Sequence, residues 1–311
     1  MTTTQMTTDD GLLVVITGPT AVGKTSLCLE LARRCTTHII SADSRQFYRE
    51  MYIGTAAPST EELSAVPHHF IHQLSVHDNY NVSRFETEVL DLLHELFNQH
   101  PVVFMAGGSG LYINAVCHGI DLLPDPDPEI RKALKEILET SGIRALQDEL
   151  ERVDPDYAAR VDLANPARLI RALEIYRSTG VSYSALRTNK VKRRPFRIVK
   201  IGLDLPREIL NQRINSRVDA MMNAGLVDEA LTLYPLRHLN ALNTVGYKEL
   251  FDYFGGLTTL DHAVEKIKTN SRRYAKRQLT WFRKDPEIKW IGPGDIESVM
   301  QYMNPGESLS L

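Results

Sequence analysis

The sequence predicts an α/β fold, a parallel sheet flanked by helices, with an inserted all-helical domain. Three observations predict it. The apolar run LLVVIT passes straight into a glycine-rich loop and then into a helical period; further apolar runs, in HIISADS, PVVFMAGG and FRIVKIGLDL, alternate with helical segments; and the stretch after PDPDPE shows only helical periodicity and turns. At 311 residues, with 43% hydrophobic and 24% charged residues, the chain can bury a substantial core.

The first strand, from Leu12, feeds the loop Gly18, Pro19, Thr20, Ala21, Val22, Gly23, Lys24 and Thr25. This is the G-x-x-x-x-G-K-[ST] pattern, in which backbone amides and a helix N-terminus cradle phosphates while the lysine and hydroxyl serve oxygens and Mg²⁺. The core is therefore of the P-loop NTPase-like kind, and the loop alone reads as an ATP-type pocket. Leu27 and Leu31 carry the following helix. HIISADS ends at Asp43, and PVVFMAGG ends at Gly107 and Gly108. Ligands of open parallel sheets sit beyond the carboxyl ends of the strands, so the loop, Asp43 and Gly107-Gly108-Ser109 are expected to meet in one cleft. Between them Ser83 to Glu86 reads as a capping box ahead of a face formed by Phe85, Val89, Leu92, Leu93 and Leu96.

A common ATPase would add a Mg²⁺-holding acid at the end of another core strand, whereas VVFMAGG ends in glycines. Asp43 is the acid so placed. It reads as a metal partner, a helix cap or a base, with the base favoured because Ser44 can cap equally well. Gly107 and Gly108 read either as a tight turn or as room for a substrate against the backbone, with the Ser109 hydroxyl pointing into the cleft.

From Leu123 to Asn189 the chain reads as the helical insertion, leaving residues 1–122 and 190–311 for the core. Asp127-Pro128 and Asn165-Pro166 each pair an N-cap with proline at the first helical position, and Gly180 is placed to end the second helix. FRIVKIGLDL and IKWI are later strands. Arg213 and Arg217 share one face of a helix from about Pro206 to Asn223, away from Ile209 and Leu210, where they read as solvated cations or as a polyphosphate clamp.

The net charge of −3 argues mildly against nucleic acid, but its distribution points the other way. Arg187 to Lys200 carries seven basic residues without an acid, and Lys266 to Lys284 carries eight more, interleaved with Tyr274, Trp281 and Phe282. Such a helix suits either a solvated face or phosphate contact with base stacking. His68, His69 and His72 follow Pro67 without a companion acid or cysteine, which is a poor zinc pattern. The three cysteines show neither disulfide arithmetic nor zinc spacing. MTTTQMTTDD lacks the cationic start and apolar middle of an export signal and is expected to fray; no apolar run reaches the roughly 20 residues that span a bilayer. A cytoplasmic location, without membrane contact, is the expectation.

Taken together, GPTAVGKT, SADSRQFYREMYIGTAAPS, PHHF, AGGSGLYINA, PARLIRALEIY, LNQRINSRVDAMMNAGLVDE, NTVGYKE and AKRQLTWFRK occur in the order of the tRNA dimethylallyltransferase family, which the chain resembles from Gly18 to Arg283. It resembles the bacterial type, without a C-terminal zinc finger. The resemblance implies transfer of the dimethylallyl group of dimethylallyl diphosphate to N6 of the adenosine just 3′ of the anticodon, position 37, in tRNAs that read codons beginning with U. The P-loop would then hold the diphosphate leaving group. Lys24, Thr25 with Mg²⁺ and Arg217 would neutralise its charge, Asp43 would take the N6 proton, and Ser109 would hydrogen-bond near N6, the base being flipped into a channel.

The resemblance also implies a tRNA surface. It comprises Asp43, Ser44, Arg45 and Gln46; Ser109; Arg131 with Ala167, Arg168, Leu169, Ile170 and Arg171 on an insertion that swings in; Asn243, Thr244, Val245, Gly246, Tyr247 and Lys248; and Lys276, Arg277, Gln278, Leu279, Thr280, Trp281, Phe282 and Arg283. The expected state is a monomer. Three positions depart from the family pattern: Ser109 for threonine, Ala57 for lysine, and His72 for an acid, so neither metal nor base duty passes to His72. Prenylation of free adenine nucleotides, a small-molecule kinase and an RNA binder with a vestigial loop are the rival readings.

Overall fold

The computed structural model describes residues 11–125, 127–188 and 190–303. The tail expected to fray, Pro126 of the proline-rich break and Asn189, where the insertion was expected to end, lie outside them. The chain divides into two compact units, one formed by residues up to Cys117 and from Arg193 onward, the other by His118–Lys192. The second unit reaches a few residues further on both sides than the 123–189 span read from composition.

In the first unit β1 (Leu12–Thr17), α1 (Lys24–Arg34), β2 (Ile39–Ser41), α2 (Thr60–Ala65), β3 (His68–His69), α3 (Val82–Leu96), β4 (Val102–Gly107) and α4 (Gly110–His118) come first. The chain then runs through α5 (Pro128–Val153), α6 (Pro155–Ala158), α7 (Pro166–Thr179) and α8 (Tyr183–Leu186) of the second unit. It returns as β5 (Arg197–Leu203), α9 (Arg207–Asn223), α10 (Leu226–Leu233), α11 (Tyr247–Phe254), α12 (Leu260–Phe282), β6 (Ile288–Ile291) and α13 (Ile296–Met303).

The six strands form one parallel sheet in the order β3-β2-β4-β1-β5-β6, with Thr17 at the end of β1 beside Gly107 of β4 and Gly202 of β5. β1 is buried at every residue, as a central strand covered on both faces must be. Its side chains alternate between two cores: Leu13 and Val15 pack with Phe85, Val89, Met105 and Tyr247, while Leu12, Val14 and Ile16 pack with Leu31, Phe104 and Leu210. The chain leaves β1 toward β2, β3 and β4 on one side and comes back as β5 and β6 on the other. The crevice beyond the ends of β4, β1 and β5 is thus the expected place for a ligand.

The second unit has its own core of Leu134, Leu146, Leu150, Leu169 and Leu173. Asp127 and Asn165 cap α5 and α7 with Pro128 and Pro166 at the first helical position, and Gly180 ends α7 with φ 73°. α5 is interrupted at Gly142, where φ is 75°.

Two expectations need correction. The helix of Phe85 begins earlier than the Ser83 capping box implied: Asn81 is its N-cap, accepting from the Arg84 amide at 2.9 Å. A capping box does occur, at Ser59 and Glu62, ahead of α2. The basic window Arg187 to Lys200 is partly internal, since Arg194 is buried against Glu86 at 2.6 Å and Lys200 against Asp285 and Glu287 at 2.8 and 2.7 Å. Those two cations hold α3, β5 and the β6 approach together instead of facing a polyanion.

Candidate active site

The P-loop follows β1 as the pattern requires, and Gly23 is the N-cap of α1 with no side-chain cap, so the first amides of the helix stay open to an anion. Lys24 folds back over the loop, donating to the carbonyls of Gly18 and Pro19 at 3.0 and 2.9 Å. Burial lowers its pKa to about 8; Asp43 nearby pulls it up and Arg217 pushes it down. Thr25 lies on the exposed first turn, and among the described residues its hydroxyl has no hydrogen-bond partner.

From α9, Arg217 donates to Thr20 Oγ1 at 3.3 Å and Arg213 to the Val22 carbonyl at 3.3 Å. Both arginines reach the loop, as a polyphosphate clamp would. Arg217 is open to solvent through the cleft mouth, yet protein surrounds it closely enough that desolvation lowers its pKa, against the pull of Asp43 and Glu62. The apolar side of α9 is Leu210, Ile214 and Val218, with Ile209 exposed instead of buried as the pattern had implied.

Asp43 follows β2 and caps no helix. Its Oδ1 accepts the Arg45 amide at 3.0 Å, closing a tight turn. Ser109 serves the same turn: its Oγ accepts from the Ser44 amide at 2.9 Å and donates to Ser44 Oγ at 3.2 Å. Ser109 is not among the residues lining the cavity in front of Asp43; it bonds to Ser44, which is.

Gly107 and Gly108 are likewise structural. A Cβ on Gly107 would collide with the Ala42 backbone, and one on Gly108 with the Gln278 amide. The expected room for a substrate is occupied by protein. Gln278, buried on α12, accepts from the Thr20 amide at 2.9 Å and donates to the Gly108 carbonyl at 3.0 Å, which ties the P-loop to the end of β4.

In front of Asp43 lies a cavity of about 410 Å³. Its polar wall holds Thr20, Asp43, Ser44, Arg45 and Arg217; its apolar wall holds Ile214, Val218 and Met221 of α9; Gly54, Thr55 and Ala56 close one side and Asn243 to Gly246 with Lys248 another. Ser271, Tyr274 and Arg277 enter from one face of α12. The Tyr274 hydroxyl has its pKa raised, first by burial and then by Asp43. Tyr274, expected among the aromatics of the basic helix, lies at the Asp43 cavity; the apolar α9 wall was not expected, and its signal lay in the helical spacing of Ile214, Arg217, Val218 and Met221, of which only the arginine was read.

A larger groove, of about 890 Å³, is lined by α9 and the opposite face of α12 and does not contain Asp43. Arg207, Arg272, Arg273, Lys276 and Arg283 border it, with Asp204 as its acid, which Arg283 meets at 2.7 Å. Of the two, only the smaller cavity has Asp43 and a P-loop residue, Thr20, in its lining.

Several residues expected on the RNA surface are internal. Leu169, Ile170, Tyr247, Gln278 and Phe282 are buried, so their side chains meet protein. Arg131 and Arg171 both donate to the buried Glu174, at 2.8 and 2.9 Å. Gln46 accepts from Ser41 and donates to the Thr55 and Ala56 carbonyls, and Arg45 donates to the carbonyls of Asn240 and Ala241. Ala167, Arg168, Asn243, Lys248, Lys276, Arg277, Thr280, Trp281 and Arg283 are exposed, and Leu279 is half-buried. His68 and His69 form the short strand β3. Among the described residues no trio of His, Cys, Asp or Glu ligands gathers at the loop or at Asp43.

The model of one protein family, described as IPP transferase, matches residues 46–285. The chain belongs to the IPP transferase family. Among its curated relatives, tRNA dimethylallyltransferase 2 of Parabacteroides distasonis is 52% identical over 94% of this chain and 98% of its own length. The tRNA dimethylallyltransferase of Christiangramia forsetii is 55% identical over 90% and 92%. Solved structures of the family superpose as well: the tRNA isopentenylpyrophosphate transferase of Bacillus halodurans at TM-score 0.68 and 40% identity, covering 94% of each chain. A eukaryotic dimethylallyltransferase described as acting on tRNA gives 0.73 at 27% identity, covering 92% of this chain and 75% of that one. The P-loop-like parallel core and a helical unit are thus the family's architecture.

Proposed function

We propose that this enzyme transfers the dimethylallyl group of dimethylallyl diphosphate to N6 of the adenosine 3′ of the anticodon in tRNA, giving N6-isopentenyladenosine. One observation carries the reading: Arg217, which suits a diphosphate, shares a cleft with a single carboxylate, Asp43, and with an apolar wall of Ile214, Val218 and Met221, and Lys24 lies close enough to feel the charge of both Asp43 and Arg217. Such a wall suits an isoprenoid chain.

In the reaction the N6 lone pair attacks the allylic carbon, the carbon–oxygen bond breaks with its electrons going to the departing diphosphate, and the N6 proton passes to Asp43. Lys24, Arg217 and the open amides of α1 stabilise the charge that grows on the diphosphate as it leaves. The Asx turn at Arg45 fixes one Asp43 oxygen, and Ser109 fixes the turn through Ser44, so the second oxygen is held toward the cavity. Tyr274 offers the face on which a flipped adenine stacks. Oxygen-rich coordination suits Mg²⁺, and the partnerless Thr25 hydroxyl is the protein oxygen that would join the substrate's in holding it. Bound there, the metal would add positive charge against the diphosphate.

The tRNA side of this reading assigns phosphate contacts to the basic groove of Arg273, Lys276 and Arg207, and to Arg277, Lys248 and Arg168, which carry no ion pair among the described residues. The helical unit is proposed to close on the anticodon stem-loop, with the enzyme acting as a cytoplasmic monomer. Incubation with labelled dimethylallyl diphosphate or γ-labelled ATP, each with tRNA, AMP or no acceptor, tests the reading. Label in tRNA from the prenyl donor is expected; label in AMP, or transfer from ATP, overturns it.

A further inference from the structure

Glu229, on α10, lines neither cavity and belongs to none of the roles assigned above. Its carboxylate is nevertheless fully engaged. Oε2 accepts the amides of Tyr52 and Ile53 at 3.0 and 2.7 Å, and Oε1 accepts the Gly54 amide at 2.9 Å and the Tyr247 hydroxyl at 2.6 Å. A carboxylate offers about four acceptor sites, and here four donors from two distant segments fill them.

The same group explains two motif residues that otherwise lack a reason. Tyr247 is fully buried, and its ring stands where a Cβ on Gly54 would be, 2.6 Å from Cε2 and Cζ, so position 54 excludes any larger residue. The next residues, Thr55 and Ala56, form a wall of the cavity that holds Asp43. Their carbonyls are gripped from the Asp43 side by Gln46, at 3.3 and 3.2 Å. The wall is therefore held by Gln46 at the Thr55 and Ala56 carbonyls and by Glu229 at the Gly54 amide.

We propose that Glu229, locked by Tyr247, is a positioning residue that sets the Gly54–Ala56 wall and through it the affinity of the cavity for the adenosine of the substrate RNA. This rests on the prenyl-transfer reading above. In Glu229→Gln an amide replaces one carboxylate oxygen, and at least one donor of the loop loses its acceptor. Tyr247→Phe removes one hydrogen bond with little change of shape.

The test combines steady-state kinetics, thermal unfolding and amide hydrogen exchange on both variants and the wild type. Expected are exchange of the 52–54 amides at least about 10-fold faster with β1 and β4 unchanged, and a KM for an anticodon stem-loop RNA raised about 10-fold in Glu229→Gln and less in Tyr247→Phe. The kcat and the KM for dimethylallyl diphosphate should stay within about 3-fold. A fall in melting temperature with an unaltered RNA KM, or unaltered exchange of the loop, overturns the proposal by leaving Glu229 a purely structural role. If the wild type transfers no prenyl group, the functional reading fails separately, and loop exchange with direct binding of the stem-loop RNA still decides whether Glu229 sets the wall.

Discussion

Lys24 makes a prediction at the scale of one residue. In the free enzyme its ammonium is lost as pH rises past about 8, and a neutral amine binds diphosphate poorly. The kcat/KM for dimethylallyl diphosphate should therefore be level below about pH 8 and fall above it, with kcat less affected because bound diphosphate holds the proton on. A profile flat to about pH 9.5 would contradict this. The loop and Asp43 were legible in the sequence because each stands at a fixed place relative to a strand end, whereas Arg217, on α9, was left between a solvated cation and a clamp and took its expected role from the family resemblance. Ser109, Gln278 and Tyr247 were not legible. A family motif marks positions that matter without saying whether the side chain touches the ligand or holds one that does; Ser109 and Gln278 hold backbone, and Tyr247 holds the Glu229 carboxylate. Gly107 and Gly108 were left between two readings for the same reason, since a glycine forced by the Ala42 backbone and one forced by a substrate look alike in sequence.

At the scale of the element, α12 is the informative case. Composition left it undecided between a solvated face and an RNA face, and the structure divides its cations among several differently engaged sides of the helix. Lys266, Lys268 and Arg283 pair with acids, Tyr274 and Arg277 face the Asp43 cavity, and Arg273 and Lys276 face the basic groove. Arg273→Ala with Lys276→Ala should weaken tRNA binding and reduce the salt slope by about 2, while leaving the donor KM unchanged. An unchanged slope would remove the groove from the RNA path. The starts of α5 and α7 were readable from Asp-Pro and Asn-Pro, whose caps are local. β3, two residues long, and α2 were not, because a strand that short has no period to detect.

For the whole molecule, the parallel core and the helical unit followed from the alternation of apolar runs and its loss after PDPDPE, whereas the pairing of distant segments, such as Glu229 with the Tyr52 loop, leaves no local trace. The two units carry separate cores, so Leu146→Ala, at a fully buried position of the helical unit, should cost about 2–5 kcal/mol there. Calorimetry should show that loss, with diphosphate binding by the other unit retained. Four histidines give the fold a pH dependence. Burial lowers the pKa of His38, His68, His69 and His72 below the ordinary 6.5, so the unfolded chain takes up protons first as pH falls. Stability should be complete above that value and decline below it, seen as a lower denaturation midpoint at about pH 5.5 than at about pH 7.5. A flat midpoint would contradict it. The central claim, that a carbon chain leaves a loop-bound diphosphate while Asp43 takes the proton, is tested most directly by Asp43→Asn. Asparagine keeps the acceptor for the Arg45 amide and removes the base. Single-turnover prenyl transfer should fall at least about 100-fold while the affinities for tRNA and dimethylallyl diphosphate stay within about 3-fold, and a transfer rate within a few-fold of wild type would contradict the account.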